Sequence, residues 1–185
     1  MIRVLAISGS LRAASSNTIL LNAAAALVPE NVEVIIYRGL AELPPFNPDL
    51  DNDSVHPAVA DFRSQLRKSS GVVISSPEYA HGVPGVLKNA LDWLVASGEL
   101  YEKPIALVST SARAMFAEAS LTETLKVMSV RLVTEAFLTV PLLGKNLDES
   151  GVVWDPGLSY AIRSALGAFA DAISLVEPNR DERCS

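Results

Sequence analysis

The chain has 185 residues, enough for one domain with a sizeable core, and its 49% hydrophobic and 19% charged residues exclude a disordered protein. A net charge of −6 without any basic run argues against a nucleic-acid surface, where phosphate contacts need clustered Lys and Arg. The single cysteine, Cys184, and two histidines leave no disulfide framework and too few soft ligands for a zinc site, so we expect a reduced, cytoplasmic setting and no metal.

Ile2–Ser8 is almost continuously apolar and reads as a strand covered on both faces. It begins at once, without the basic region, apolar stretch and cleavage site of a signal peptide. No stretch approaches the ~20 apolar residues of a spanning helix, so no membrane is expected as a partner. The strand runs into Ser8-Gly9-Ser10-Leu11-Arg12-Ala13-Ala14-Ser15-Ser16-Asn17-Thr18 and then a helix-like stretch from Ile19 to Val28, stopped by Pro29. A strand, a loop of glycine, hydroxyls and one arginine, and a helix suit a phosphate. Helix-start N–H groups are unpaired and the helix dipole favours negative charge. Ser15, Asn17 and Thr18 offer side-chain hydrogen bonds, and Arg12 offers a planar cation. An ordinary N-cap uses the same residue types, so the loop alone leaves both readings open. It matches neither GxxxxGK[ST] nor GxGxxG, which disfavours P-loop hydrolysis and the usual dinucleotide fingerprint.

Val32–Tyr37 reads as a second strand, and Leu43-Pro44-Pro45-Phe46-Asn47-Pro48 as a loop in which Phe46 is a packing plug rather than a pocket wall. Pro57–Lys68 reads as a helix and Gly71–Ser75 as a third buried strand. After a loop over 76–83, a helix runs from Pro84 to about Val95, with Leu87, Ala90, Leu91 and Leu94 on one face. Ile105–Ser109 is a fourth strand, a helix follows to about Met128, and Arg131–Val140 is a fifth strand. Gly151-Val152-Val153-Trp154 reads as an extra hairpin arm or loop contact. The last helix runs from about Pro156 to Leu175, with Leu158, Ile162, Leu166, Phe169 and Ile173 as its inner stripe.

This alternation predicts an α/β, doubly wound, five-stranded parallel sheet of order 2-1-3-4-5 with helices on both faces. Residues 1–176 form one domain and 177–185 a polar tail. Such sheets bind ligands at the carboxyl ends of the strands where the order switches, here between strands one and three. The loop expected to face the first one reads Ser75-Ser76-Pro77-Glu78-Tyr79-Ala80-His81-Gly82-Val83-Pro84-Gly85. Its prolines stiffen it, and its glycines let a flat ligand lie close to the backbone. Tyr79 and His81 suit packing against an aromatic ring system. The competing reading is a plain turn with a solvated Glu78 and a surface Tyr79, and for His81 alone that reading is the better one.

Gly9-Ser10-Leu11-Arg12 with Ser15, Asn17 and Thr18, then Pro77-Glu78-Tyr79, then Pro84-Gly85-Val86-Leu87-Lys88-Asn89-Ala90-Leu91-Asp92-Trp93, together resemble the NADPH-dependent FMN reductase family. This flavodoxin-like group includes quinone, azo-dye and chromate reductases. The resemblance spans residue 1 to about 176. It implies that Ser10, Arg12, Ser15, Asn17 and Thr18 hold the FMN phosphate. It also implies that Pro77, Glu78, Tyr79, Ala80, His81 and Gly82 border the isoalloxazine ring, with Tyr79 near the ring or the ribityl chain. Two departures stand out. Ala80 replaces an Asn common in relatives, and Ser109-Thr110-Ser111-Ala112-Arg113-Ala114 replaces a frequent Gly-Gly pair after strand four, leaving Ser109 and Ser111 as candidate polar contacts.

The resemblance implies transfer of electrons from NADPH or NADH through FMN to a small-molecule acceptor: a quinone, azo compound, metal oxyanion or free flavin. No catalytic side chain is expected, because the hydride chemistry belongs to the cofactor. There is no GxSxG elbow or Ser-His-Asp set placed by motif. A flavodoxin-type FMN carrier without its own NAD(P)H reaction is the alternative; the modest charge and Arg12 in the cradle argue against it. A phospho-acceptor domain of this topology is excluded because strand three ends in Ser75-Ser76-Pro77 and supplies no aspartate. Lys88 and Asp92, spaced i, i+4, read as a pair on a solvated face. Trp93 is expected at a subunit interface, in a homodimer or homotetramer.

Overall fold

Along each central strand, side chains alternate between two unequal halves of the core. Leu5, Ile7, Val72, Ile74, Ile105 and Leu107 face one side, while Val4, Ala6, Val73 and Ala106 face the other. The computed structural model describes residues 1–12, 14–142 and 144–175, so Ala13, the polar tail 177–185 and Cys184 lie outside the described residues.

The strands are β1 (Ile2–Ser8), β2 (Val32–Tyr37), β3 (Gly71–Ser75), β4 (Pro104–Ser109), β5 (Arg131–Leu132) and β6 (Leu138–Thr139). They pair in parallel in the order β2-β1-β3-β4-β5, and β6 also pairs with β4. The doubly wound order expected from the sequence is therefore present. The fifth strand differs in detail. Instead of running over 131–140, it pairs with β4 at Arg131–Leu132, leaves the ladder in a 3-10 turn at Thr134–Ala136, and pairs again at Leu138–Thr139. Val133 and Ala136, at that break, are buried among the α6-side apolar residues, so packing overrides the β-branched run.

The helices are α1 (Ser16–Ala26), α2 (Pro57–Arg67), α3 (Gly85–Asp92), α4 (Met115–Val127), α5 (Glu149–Trp154) and α6 (Pro156–Ser174). Phe62, Leu66, Leu87, Leu91, Leu121 and Leu125 bring α2, α3 and α4 onto one face of the sheet. Leu21, Phe169 and Ile173 bring α1 and α6 onto the other, extended by Leu20, Val152, Ile162 and Leu166. Leu158 completes the expected α6 stripe from a half-buried position. The small Ala6 and Ala106 on that face and Gly71 at the start of β3 let α6 come close. A Cβ on Gly71 would meet Ile173 Cδ1 at 2.7 Å.

Gly151–Trp154 is helical rather than a hairpin arm, because Asp148 caps it by accepting from Gly151 N at 2.8 Å. Trp93 belongs to the core and not to an interface. It is fully buried, its Nε1 donates to Pro44 O at 2.8 Å, and Phe46 meets it edge-on at 5.1 Å. Asn89 completes this staple, donating to Pro44 O and accepting from Phe46 N. Phe46 is thus the packing plug the sequence suggested. Lys88 and Asp92 form the expected surface pair.

Candidate functional site

Three loops leave the carboxyl ends of β1, β3 and β4 and meet around one cleft of about 310 Å³. The first is tied to the second at its root. Gly9 N donates to Ser75 O at 2.8 Å, and a Cβ on Gly9 would lie 3.0 Å from Leu87 Cδ2 and 3.3 Å from Ser76 Oγ. A side chain there would press on Leu87 and Ser76.

The helix after the first loop begins earlier than its apolar pattern shows. Ser15, in extended conformation, caps α1 by accepting from Asn17 N, so Ser16, Asn17 and Thr18 form its first turn rather than a loop. Asn17 is buried and accepts from Ser75 Oγ at 2.9 Å. The first helical turn is thereby locked to the end of β3. Thr18 Oγ1 donates to Ser8 Oγ at 3.1 Å and faces a neighbouring recess of about 240 Å³ beside Tyr37 and Arg38, not the main cleft. Arg12 borders both spaces and has no carboxylate partner among the described residues.

The second loop folds into a two-residue hairpin. Tyr79 and Gly82 exchange backbone hydrogen bonds at 3.1 and 2.9 Å, while Ala80 and His81 sit at φ 49° and 60°. Both are in the left-handed region, the signature of a turn that usually takes Asn and Gly. The turn holds Tyr79 at the cleft while Ala80, His81 and Gly82 stay off its lining. His81 instead stacks on Phe116 of α4, with ring centroids 4.4 Å apart.

Glu78 makes a second link to α4. Its Oε2 accepts from both Phe116 N and Ala117 N at 2.9 Å. Ala114, at the cap position, has no side chain for that task, so the carboxylate from the neighbouring loop caps the helix.

Among the residues singled out from sequence, the cleft brings together Ser10, Arg12, Ser15, Asn17, Pro77, Glu78, Tyr79, Ser109 and Ser111. It adds Ser16, Ser76, Thr110, Arg113 and Ala114, which the sequence reading did not select. Chemically the cleft offers two guanidiniums, a crowd of hydroxyls, exposed loop backbone and the ring of half-exposed Tyr79. Its one carboxylate, Glu78, is engaged with α4. That set suits a phosphorylated ligand carrying a flat ring: cation and hydroxyl donors for the phosphate, and a stiff backbone edge with an aromatic for the ring. The described residues hold no group of His, Cys, Asp or Glu arranged for a metal ion.

Residues 2–142 match the model of the NADPH-dependent FMN reductase family. The chain is 31% identical to an NAD(P)H-dependent FMN reductase of Pseudomonas aeruginosa, over 91% of this chain and 93% of that one. It is 28% identical to a quinone reductase of Escherichia coli, over 95% and 97% of the two chains. Among solved structures, it is similar to FerB, a flavoenzyme NAD(P)H:(acceptor) oxidoreductase from Paracoccus denitrificans. The TM-score is 0.83 with 26% identity, covering 94% of this chain and 98% of that one.

Proposed function

The chain belongs to the NADPH-dependent FMN reductase family, and from that premise we propose that its three-loop cleft holds FMN and serves an NAD(P)H-dependent oxidoreductase. The observation that carries the reading is the convergence of the Ser10–Asn17 turn and the Pro77–Tyr79 edge on one cleft, with the Arg12 guanidinium, free of any carboxylate partner among the described residues, on the Ser10–Asn17 side. When bound, FMN supplies the chemistry: it accepts hydride from a nicotinamide and passes the electrons to an acceptor.

The chain's own residues bind and orient. Ser10, Arg12 and Ser15, with the α1 N–H groups behind them, hold the phosphate. Asn17, fixed by Ser75, keeps that turn in register with β3. The backbone of Pro77, Glu78 and Tyr79 lies along the ring, and Ser109 and Ser111 close its third side. Ala80, His81 and Gly82 shape that edge as the hairpin that presents Tyr79, and Thr18 steadies the base of the phosphate turn through Ser8. The acceptor is a small oxidant such as a quinone, meeting the ring at the open mouth of the cleft.

Anaerobic mixing of the FMN-loaded protein with NADPH or NADH tests this directly. The flavin absorbance should bleach with at least one donor and recover on adding a quinone. No bleaching with either donor would overturn the enzymatic reading.

The same proposal has the chain self-associate as a homodimer or homotetramer in the cytoplasm. Tyr79, Met115 and Phe116 support it, exposed by 51%, 69% and 55% beside the cleft. A light-scattering mass equal to one chain would contradict it. No described helix is long and apolar enough to cross a membrane.

A further inference from the structure

The loops after β1 and β4 carry one turn twice. Ser8-Gly9-Ser10-Leu11-Arg12-Ala13 and Ser109-Thr110-Ser111-Ala112-Arg113-Ala114 share the spacing Ser-x-Ser-x-Arg-Ala. Their hydrogen bonds repeat as well. Ser10 N donates to Ser8 Oγ, Ser8 Oγ donates to Ser10 O and Arg12 N donates to Ser10 Oγ, each at 3.3 Å. In the second loop Ser111 N donates to Ser109 Oγ at 3.2 Å, Ser109 Oγ donates to Ser111 O at 2.9 Å and Arg113 N donates to Ser111 Oγ at 3.2 Å. Both turns line the same cleft, and each brings a guanidinium with no carboxylate partner among the described residues.

The second turn carries one feature the first lacks. Thr110 stands where the first turn has Gly9; it is only 4% exposed, lines the cleft and has no hydrogen-bond partner for its hydroxyl among the described residues. That hydroxyl is open to solvent at the cleft, since Arg63 Nε is the one buried unpartnered side-chain atom among the described residues, and it is available to hydrogen-bond a ligand there. The attraction does not rest on the start of α4, where Glu78 already takes the N–H groups of Phe116 and Ala117. It comes from Arg113 and the hydroxyls.

We propose that Thr110 and Arg113 of this turn form a second oxyanion site, which takes the tetrahedral anion of the second substrate while the Arg12 turn takes the cofactor phosphate. That anion is either a phosphate of the nicotinamide dinucleotide or a free oxyanion. The inference rests on the FMN reading of the cleft.

The test uses redox-inert probes on FMN-loaded protein. 2′,5′-ADP and sulfate are titrated into wild type, Arg113→Ala and Arg113→Lys, following the flavin spectrum and calorimetric heat. Arg113→Ala should weaken probe binding by about tenfold or more while FMN content stays at the wild-type level, and Arg113→Lys should recover part of the loss. Loss confined to 2′,5′-ADP identifies the dinucleotide phosphate as the source; loss for sulfate as well identifies a free oxyanion. Three results would overturn the site: unchanged probe binding, FMN lost from Arg113→Ala as from Arg12→Ala, or a shifted flavin potential with unchanged probe binding. Should wild type retain no FMN, the flavin reading fails separately, and the same calorimetric comparison on the protein as purified still decides the anion site.

Discussion

Ser75 Oγ donates to Asn17 Oδ1 at 2.9 Å, joining the end of β3 to the first turn of α1 inside the sheet's switch point. Both residues are buried, and the Ser75 hydroxyl has Asn17 Oδ1 as its acceptor, while Asn17 Nδ2 donates on to Ser15 Oγ at 3.5 Å. Replacing Asn17 by Ala strands the Ser75 hydroxyl and should cost about 1–3 kcal/mol, seen as a lower thermal midpoint. Asn17→Asp keeps an acceptor and should lose less stability. It adds negative charge at the phosphate turn, so its FMN affinity should fall as far as that of the Ala variant or further. Equal stability of wild type and Asn17→Ala would show that the link carries no weight.

Glu78 should matter chiefly as a helix cap. Removing it in Glu78→Ala leaves the N–H groups of Phe116 and Ala117 without their acceptor and should cost about 1–2 kcal/mol. Glu78→Gln keeps an acceptor oxygen and should cost less. Urea unfolding gives the energies, and amide exchange at residues 116 and 117 should speed up in the Ala variant. Unchanged exchange there would remove the capping role.

The hairpin at Ala80-His81 stores backbone strain. With φ at 49°, Ala80 should gain about 0.5–1 kcal/mol when replaced by Gly or Asn, which tolerate this region. His81→Ala should lose a comparable amount, because the stack on Phe116 goes while the strained backbone stays. Calorimetric melting of both variants checks the two signs. A destabilised Ala80→Gly would refute the strain.

Strand order, the packing plug at Phe46 and the meeting of the loops after β1 and β3 were all legible, because each follows from strong local signals: buried apolar runs, proline clusters and glycines. The 3-10 break at Thr134–Ala136 was not, since Glu135 and Ala136 are weak strand formers set between strand-favouring neighbours, and the burial of Val133 and Ala136 against α6 shows only in the fold. The helical start at Ser16 was hidden because a capped first turn is polar and has no apolar period. Trp93 reads from sequence as an interface residue, since sequence does not tell an anchor within the chain from one between chains, and the fold buries it completely. Arg113 and Thr110 carried a readable signal, the repeat of Ser-x-Ser-x-Arg-Ala, which shows only when the two loops are set side by side.

Tyr37, at the carboxyl end of β2, has its phenol pushed up to about 12 by burial first and by the negative charges of Asp61 and Glu42 next. The native state therefore keeps the proton above pH 10, where an unfolded tyrosine releases it. Stability should fall as pH rises from about 10 toward 12, by at most about 2 kcal/mol from this group. Tyr37→Phe should flatten that decline in a series of denaturant midpoints. An unchanged slope in the variant would assign the decline elsewhere.

The binding of FMN at the Arg12 turn is tested most directly by equilibrium titration of FMN into flavin-stripped protein, wild type against Arg12→Ala. Wild type should take up one FMN per chain with a perturbed flavin spectrum. Arg12→Ala should bind about ten- to a hundredfold more weakly at unchanged thermal stability, since Arg12 has no carboxylate partner to lose. Equal affinity in the two proteins, or no uptake by wild type, would contradict the placement of the phosphate at this turn.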